Sequence, residues 1–336
     1  MSCWTVFGFV TATAVVAATA AADLPPAAQV LKEAGVTAGL AVVVGTTDGA
    51  LEAELTNDGK MLVQGLALSD EAAAKARRHI FDKRLYGLAS VSVVKTATTL
   101  PYYDRLVNLL VADLDALGKD APSKDEIDRV LGYEGVAYLK QGGTWTKAVK
   151  PTPREVDSWT HAHYDASGNA VSKDLVMGPP NTFRWLDGPF GRYLIGGLRT
   201  SDGVAVQINP AYNERLMNRT GAMPPELQGL FIWARDVNSG VPLWRRRLVG
   251  PGGPGIGDNV YYENFVAANG RVYVYDFMHP ERVALVGLNI RTGEIERVFE
   301  KAVVARKAEA KPTGALGNRS WLEWANHLFA YGVLLV

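Results

Sequence analysis

The sequence predicts an α/β domain with a parallel sheet, followed by an all-β region built from repeated hairpins. Between residues 27 and about 143, apolar runs typical of buried strands alternate with helical segments. Beyond residue 143 the helical periodicity disappears, and turns and aromatic residues become frequent. Two short sequence elements then recur in the same order, which is typical of a repeat architecture.

The α/β domain is predicted from individual strand and helix signals. Leu40 to Val44 is a continuous apolar run, which indicates a strand buried on both faces. Ser69 caps a helix that is predicted to extend to Gly87, and Ser123 with Glu126 has the spacing of a capping box. The other predicted elements are helices over 27–34 and 50–55 and strands over 61–68, 91–94, 106–112 and 136–139. Because strands alternate with helices, we expect a parallel sheet with right-handed crossovers.

The all-β region repeats two elements. The first is a hairpin signal, a glycine-containing turn between apolar residues, and it occurs at 201–206, 268–274 and 331–336. The second is the spacing A-x-D-x-x-x-G-x-x-x-W. Its members are Ala234, Asp236, Gly240 and Trp244, and it is echoed at Asn289 and Gly293. The common order of the two elements predicts repeated antiparallel units of one kind.

Composition and charge exclude several classes of protein. A hydrophobic content of 48% and a charged content of 21% are those of a globular protein. Lys and Arg together number 35, as do Asp and Glu, so no basic surplus is available for nucleic acid. The single cysteine, Cys3, excludes an intrachain disulfide and a four-thiolate zinc site.

The first 22 residues predict an exported protein. Residues 4–22 carry no charged side chain and end in Ala20-Ala21-Ala22, which fits a signal peptide and its cleavage site. The expected localisation is therefore periplasmic or secreted. A membrane anchor is the alternative, because the run approaches the ~20 residues of a spanning helix. Part of the folded core is a third interpretation, and no firm membrane partner is predicted.

The second repeated element resembles the tryptophan-docking motif of quinoprotein β-propellers. In that family the Asp-to-Gly turn joins two strands, and the Trp packs between neighbouring blades. The resemblance implies that residues 185–336 form the first two to three blades of a propeller of the type that binds pyrroloquinoline quinone (PQQ). Closed propellers have roughly four to eight blades, so we expect an incomplete propeller. Its expected partner is the rest of the propeller, or a protein that covers the open strand edge.

The order of the pieces resembles a secreted bacterial fusion of a class I methyltransferase-like domain with such a propeller. In this interpretation residues 24–143 form the Rossmann-like methyltransferase domain, and residues 144–184 are a linker. Class I methyltransferases hold S-adenosylmethionine over a Gly-x-Gly-x-Gly turn, because the backbone must approach the ligand closely. Here the turn contains Gly45, Thr47, Asp48 and Gly49, so a β-branched residue replaces the middle glycine.

Three acidic residues that the resemblance implies are replaced as well. Ala67 stands at the end of the second strand, where an acid would bind the ribose, while Val43 and Thr96 replace two further acids. Each loss would leave a polar ligand group unpaired, at a cost of about 1–3 kcal/mol. We therefore expect a degenerate S-adenosylmethionine site in a retained fold, unless Asp48 or Asp70 substitutes for the missing carboxylates.

Three polar clusters have alternative interpretations. On a strand, His161 and His163 would lie on one face, as a metal site requires, but packing of a linker between the domains explains the same residues and is the favoured interpretation. The arginines at 245–247 are interpreted as the solvated edge of a strand, and residues 102–104 (Tyr-Tyr-Asp) as structural.

The leading functional hypothesis is an exported binding or scaffold protein whose methyltransferase-like domain is inactive. One alternative is a PQQ-dependent dehydrogenase whose catalytic blades lie outside this sequence. The other is an active class I methyltransferase with an unusual cofactor pocket.

Overall fold

The computed structural model describes residues 24–178, 183–185, 198–210, 230–249, 265–276, 282–299 and 304–305. The predicted signal peptide at residues 1–22 and the third predicted hairpin at 331–336 lie outside this part of the chain. Within it, no helix combines the length and the apolar character needed to cross a membrane.

The N-terminal region folds around a six-stranded sheet in the order β3-β2-β1-β4-β5-β6. The first five strands are parallel, and β6 pairs antiparallel with β5. The strands are β1 (Gly39–Val44), β2 (Met61–Ala67), β3 (Ala89–Val93), β4 (Val107–Asp113), β5 (Leu131–Gln141) and β6 (Thr144–Val149). The predicted parallel α/β domain is confirmed, and the order of its parallel strands is Rossmann-like.

Five helices cover the two faces of this sheet. They are α1 (Ala27–Ala34), α2 (Ala50–Leu55), α3 (Asp70–Asp82), α4 (Leu114–Leu117) and α5 (Lys124–Val130). Both predicted serine caps are confirmed: Ser69 Oγ accepts from the amide of Ala72 at 3.2 Å, and Ser123 Oγ from that of Glu126 at 3.1 Å. The prediction that α3 extends to Gly87 is wrong. The helix ends at Asp82, and Arg84 then adopts a left-handed backbone with φ of 59°.

The two faces of the sheet bury separate cores. Helices α1, α2 and α3 pack on one face, where they bury Val30, Leu55 and Ile80. On the other face α4, α5 and the segment between β3 and β4 bury Leu117, Val130 and Leu100. The domain therefore has three layers, as expected when crossovers place material on both faces of a parallel sheet.

The predicted linker contains the sixth strand of this sheet. Residues 144–149 form β6, whose Trp145 stacks on Tyr138 of β5 with ring centroids 5.1 Å apart. The turn before β6 is fixed because Asp115 accepts hydrogen bonds from the amides of Gly142 and Gly143 at 2.9 and 2.8 Å. A short edge strand with mostly exposed side chains carries a weak hydrophobic pattern, which explains why the sequence did not indicate it.

The all-β region contains two antiparallel sheets. The first antiparallel sheet comprises β7 (Arg199–Ser201), β8 (Val204–Pro210), β9 (Leu230–Asp236) and β10 (Pro242–Val249). The second comprises β11 (Phe265–Ala268), β12 (Arg271–Asp276), β13 (Arg282–Asn289) and β14 (Ile295–Val298), with β15 (Val304–Ala305) paired to β13. The predicted hairpin turns are present, with Asp202, Gly203, Asn269 and Gly270 all at positive φ.

The two antiparallel sheets share one apolar core. Val206 and Ile232 of the first sheet and Val274 and Val286 of the second belong to the same buried cluster. The two sheets therefore pack face to face, and four successive strands of each follow the same meander order, with β15 added beside β13 in the second. Their assembly into a propeller stays a prediction.

Candidate functional site

The glycine turn after β1 lies at the carboxyl edge of the parallel strands, where doubly wound sheets bind ligands. Gly45 and Gly49 both have positive φ, at 88° and 81°. The amides of Gly45 and Thr46 donate to the carbonyl of Leu66 at 2.9 and 3.0 Å. These two amides extend the pairing of β1 with β2, so they are not available to a ligand.

Gly49 is required by helix packing. A side chain there would come within 2.7 Å of the carbonyl oxygen of Ala76 in α3. Asp48 accepts from the amide of Ala50 at 3.1 Å and lies 3.9 Å from the amino group of Lys75, with both charged side chains well exposed. The turn residues therefore make structural contacts of their own, and Thr47 between them is partly exposed.

A buried carboxyl group lies beneath the turn. The hydroxyl of Thr46 is bonded to Glu52, whose side chain is almost inaccessible to solvent. Gly65 leaves the room for this contact, because a side chain there would come within 2.7 Å of Glu52 Oε1. Burial raises the pKa of Glu52, and the Thr46 bond opposes that shift only in part.

The positions of the missing acids are apolar or structural. Ala67 and Val43 are fully buried. The hydroxyl of Thr96 caps the amide of Thr98 at 3.2 Å. Asp70, a possible substitute, lies in the exposed first turn of α3. The position of the expected ribose-binding acid is therefore held by the methyl group of Ala67.

Leu117 of α4 packs beside the glycine turn. Its Cδ2 would lie 3.2 Å from a Cβ at Gly45, and its side chain is only 6% exposed. The amides of Gly45 and Thr46 are bonded to Leu66, and the buried Ala67 stands in place of the ribose-binding acid. The residues present therefore do not fit S-adenosylmethionine.

The opposite, amino edge of the parallel strands carries the junction with the first antiparallel sheet. Asn108, near the start of β4, accepts from the amide of Leu40 at 2.8 Å and donates through Nδ2 to Asp236 Oδ2 at 2.9 Å. Asn108 and Asp236 are 8% and 5% exposed, so this contact is shielded from water. The motif aspartate thus has a partner outside its own sheet.

Asn238 extends the same junction. Its side chain lies so close to Gly132 that a Cβ there would come within 2.7 Å of Asn238 Cγ. Its amide group also approaches the carbonyl of Tyr133 at 3.4 Å. The turn from Asp236 to Gly240, which we name the Asp236 turn, is therefore seated on the amino ends of β4 and β5.

Two tryptophans dock on the glycines of the repeated motif. The indole of Trp244 lies over Gly293 and donates to the carbonyl of Ile290 at 2.8 Å. Trp185 makes the equivalent contacts, since it lies over Gly240 and donates to the carbonyl of Val237 at 3.2 Å. In each case the carbonyl belongs to the residue three positions before the glycine. Sequence reasoning missed the role of Trp185.

The segment of residues 159–161, which we name the strap, joins the first strands of the two antiparallel sheets. Its Trp159 carbonyl accepts from the amide of Thr200 in β7 at 2.8 Å, and its Thr160 carbonyl from that of Ala267 in β11 at 3.0 Å. The end strands of both sheets therefore share a backbone partner in this segment.

The two histidines are not on a common strand face. The backbone reverses between His161 and Tyr164, which form an isolated bridge, and Tyr164 has φ of 68°. His161 Nδ1 lies 2.7 Å from the Thr160 hydroxyl, whereas His163 is exposed. Burial lowers the pKa of His161, and the charge of Arg199 acts in the same direction. Across the residues described, no three metal-binding side chains come together.

The arginines at 245–247 lie on β10, the edge strand of the first antiparallel sheet, and Arg245 is exposed, as expected. Arg246 pairs with Asp276 of the second antiparallel sheet at 2.7 Å. Arg245 lies over the ring of Trp233, 5.2 Å from its centroid. These residues therefore contribute to packing between and within the sheets. The segment 102–104 is structural, as expected: Arg129 binds the Tyr102 carbonyl and the Asp104 carboxylate, each at 2.8 Å.

Comparisons with known proteins find similarity to solved methyltransferases. A protein from Methanococcus maripaludis assigned as an S-adenosyl-L-methionine-dependent methyltransferase is 24% identical, with a TM-score of 0.31. A SAM-dependent methyltransferase from Aquifex aeolicus is 22% identical, with a TM-score of 0.29. A geranyl diphosphate C-methyltransferase from Streptomyces coelicolor A3(2) is 20% identical, also with a TM-score of 0.29.

These similarities are partial. The match to the M. maripaludis protein covers 35% of this chain and 55% of the other. The A. aeolicus match covers 34% and 62%, and the S. coelicolor match 34% and 43%. This chain thus spans about half of the length of the first of these proteins. The strand order of the sheet shows the Rossmann-like fold. A scan of protein families and a search of curated proteins gave no match.

Proposed function

We propose that this chain is an exported, propeller-type repeat protein whose methyltransferase-like domain is a non-catalytic scaffold. The observation that carries the proposal is the buried contact between Asn108 and Asp236. Through it the α/β domain holds the first antiparallel sheet by the same turn that carries the repeat motif. The domain then supports a binding region instead of performing chemistry.

The two edges of the parallel sheet differ in a way that supports a scaffold role for the α/β domain. The amino edge, which in α/β enzymes is remote from the ligand, is used for docking the Asp236 turn. The carboxyl edge, where a cofactor would bind, has its turn amides committed to β2 and Leu117 packed against Gly45. A domain whose carboxyl edge is packed in this way does not depend on a cofactor for its stability.

The repeat region supplies the binding function in this proposal. Matched docking of Trp185 and Trp244 on two motif glycines supports repeated units that pack side by side. Such units offer a continuous surface to a protein partner or to the remaining blades of a propeller. A PQQ-dependent dehydrogenase would need blades outside this sequence.

Differential scanning calorimetry tests the scaffold role. Because the junction is buried, we expect the purified chain to unfold with its α/β domain and first antiparallel sheet in one transition. Asn108→Ala should separate them into two transitions, since it leaves Asp236 with a missing donor. Gln29→Ala is the control at an exposed position on α1 of the same domain. Two transitions in the unmodified chain would contradict the proposal.

Titration calorimetry with S-adenosylmethionine tests the second half of the proposal. We expect no binding heat with the unmodified chain. Micromolar binding would favour an active methyltransferase instead. This outcome is distinct from a failure of domain docking, which appears as separate unfolding transitions in scanning calorimetry.

A further inference from the structure

Helix α3 ends in a segment that exposes two aromatic rings to solvent. The buried face of the helix consists of Ala73, Ala76 and Ile80, which belong to the core on that side of the sheet. Phe81 follows directly and is 70% exposed, and Tyr86 in the turn after the helix is 66% exposed. Exposed apolar groups that lie together among polar residues mark surfaces that contact another body.

The same segment concentrates positive charge in a chain whose net charge is zero. Residues 75–88 contain a single acidic side chain, Asp82, and five basic ones. The basic residues are Lys75, Arg77, Arg78, Lys83 and Arg84, and all five are exposed. Lys75 and Arg77 have partners within the domain. Among the residues that the structure describes, the side chains of the other three form no hydrogen bond or ion pair.

These three cations lie close to the exposed rings. Arg78 and Phe81 are three residues apart on α3 and therefore share one face of the helix. After the helix, the amide of Arg84 donates to the carbonyl of Phe81 at 2.8 Å, and Arg84 has a left-handed backbone with φ of 59°. The amide of Leu85 donates to a carbonyl of the preceding helical turn at 3.1 Å. The chain that follows Phe81 is thus folded back against the end of α3.

We propose that the surface formed by Arg78, Phe81, Lys83, Arg84 and Tyr86, which we name the Phe81 surface, docks the protein on a membrane with anionic headgroups. Arginine and lysine side chains attract anionic lipids, and aromatic rings settle at the level of the headgroups. Cations also stabilise the C-terminus of a helix, but this effect explains neither Arg78 nor the exposed rings. The docking goes beyond the proposed scaffold function and does not rest on it.

Co-sedimentation of the full chain with lipid vesicles tests this docking. One set of vesicles contains equal parts of phosphatidylglycerol and phosphatidylcholine, and the other contains phosphatidylcholine alone. The apolar residues 4–22 would bind both sets alike, so the quantity to compare is the ratio of the two affinities. We expect a ratio of about a hundred at low salt, since each cation close to an anionic surface contributes about fivefold. An ionic strength of about 1 M should bring the ratio close to one.

Removal of charge tests the cations of the Phe81 surface. Arg78→Gln combined with Lys83→Gln should lower the ratio about 25-fold, because two of the three unpaired cations are lost. Lys119→Gln combined with Lys124→Gln is the matched control. It removes the same charge from exposed positions beside α4 and α5, on the opposite face of the sheet, and should change the ratio less than about twofold. Lys83→Gln alone is a milder change should the double variant fail to fold.

Phe81→Ser tests the aromatic part of the surface. It should lower the ratio about tenfold, because the ring enters the interface only where charge brings the surface to the membrane. Leu175→Ser is the control at a leucine that is 82% exposed outside the parallel sheet, and it should leave the ratio unchanged. Both variants should keep the melting temperature of the unmodified chain, since neither side chain is buried.

Three results would overturn the docking. One is a ratio near one for the unmodified chain at low salt. Another is an equal fall of the ratio in the Arg78 and Lys83 variant and in its control, or no fall in Phe81→Ser. The third is tighter binding of duplex DNA than of anionic vesicles, which would assign the basic surface to nucleic acid. None of these results affects the calorimetry of Asn108→Ala, so the scaffold role is tested separately.

Discussion

The two copies of the repeated turn have nearly the same backbone but different surroundings. In the Asp236 turn, Oδ1 of the aspartate accepts from the amides of Asn238 and Ser239 at 3.0 and 2.7 Å. In the second copy Asn289 Oδ1 accepts from the amides of Arg291 and Thr292 at 2.9 and 3.1 Å. We name residues 289–293 the Asn289 turn.

The two turns differ in the contact made by the second polar side-chain atom of their first residue, Asp236 or Asn289. Asp236 Oδ2 accepts from Asn108 in a buried junction, whereas Asn289 Nδ2 donates to the exposed Glu296 at 2.8 Å. A motif that closes a turn in one sheet thus gains a second partner where it meets another domain. The aspartate of the first copy therefore takes part in docking as well as in the turn.

The largest loss of unfolding free energy is expected when Trp244, which docks on the Asn289 turn, is replaced. Trp244→Ala removes an indole that packs over Gly293 and bonds to Ile290, and we expect a loss of about 3–5 kcal/mol in unfolding free energy. Trp244→Phe keeps a ring but loses the N–H and should cost about 1 kcal/mol for the bond. Urea unfolding of both variants measures this. A cost below about 1 kcal/mol for the alanine variant would contradict the docking role of Trp244.

Exchange of aspartate and asparagine at the first position of each turn separates the role in docking from the role in the turn. Asp236→Asn places an amide donor against the donor of Asn108, which cannot turn over without losing its bond to Leu40, so we expect a loss of about 1–3 kcal/mol. Asn289→Asp faces Glu296 at an exposed site and should cost below about 1 kcal/mol. Chemical denaturation measures the loss of unfolding free energy in each of the two variants. Equal costs would show that the junction adds nothing to the first turn.

The smallest change in stability is expected at the buried carboxyl of Glu52, whose one side-chain partner among the described residues is the hydroxyl of Thr46. Burial raises the pKa of Glu52 above its ordinary value of 4.5, so the folded state binds this proton more tightly than the unfolded state. Stability from this group is fully present below pH 4.5 and is lost as the pH rises through the folded-state pKa. Glu52→Gln should remove this decrease of stability with rising pH, and it should raise stability at pH 7.

Thermal unfolding between pH 4 and 8 measures the Glu52 effect. The exposed Glu54 on the same helix provides the control, because Glu54→Gln should leave the profile unchanged. A profile that is identical for the unmodified chain and Glu52→Gln would contradict the assignment of a raised pKa.

The main elements of the fold could be predicted from the sequence because their signals are local. The apolar run at 40–44, the caps Ser69 and Ser123 and the Asn269-Gly270 turn each specify a structure through nearby residues. The polar strand β6 had no such signal. The end of α3 was set by a left-handed residue, Arg84, that sequence alone does not favour.

The candidate site was only partly accessible from the sequence. The glycine turn and Ala67 could be assigned by resemblance, but Leu117 acts through a contact across the sheet that no spacing reveals. Asn108 offered one signal, a lone amide within an apolar strand, yet its partner lies 128 positions away along the chain. Trp185 stood close to a predicted linker, and only its contact with Gly240 gives it the role of Trp244.

The most direct test of the docking claim is a double-mutant cycle between Asn108→Ala and Asp236→Ala, measured as unfolding free energies. A cycle between Asn108→Ala and Asn289→Ala serves as the control, and its energies should add within about 0.5 kcal/mol. For Asn108 with Asp236 we predict a coupling energy of about 1–3 kcal/mol, since each residue is the buried partner of the other. Additive energies in that first cycle would contradict the conclusion that the α/β domain holds the repeat region through the Asp236 turn.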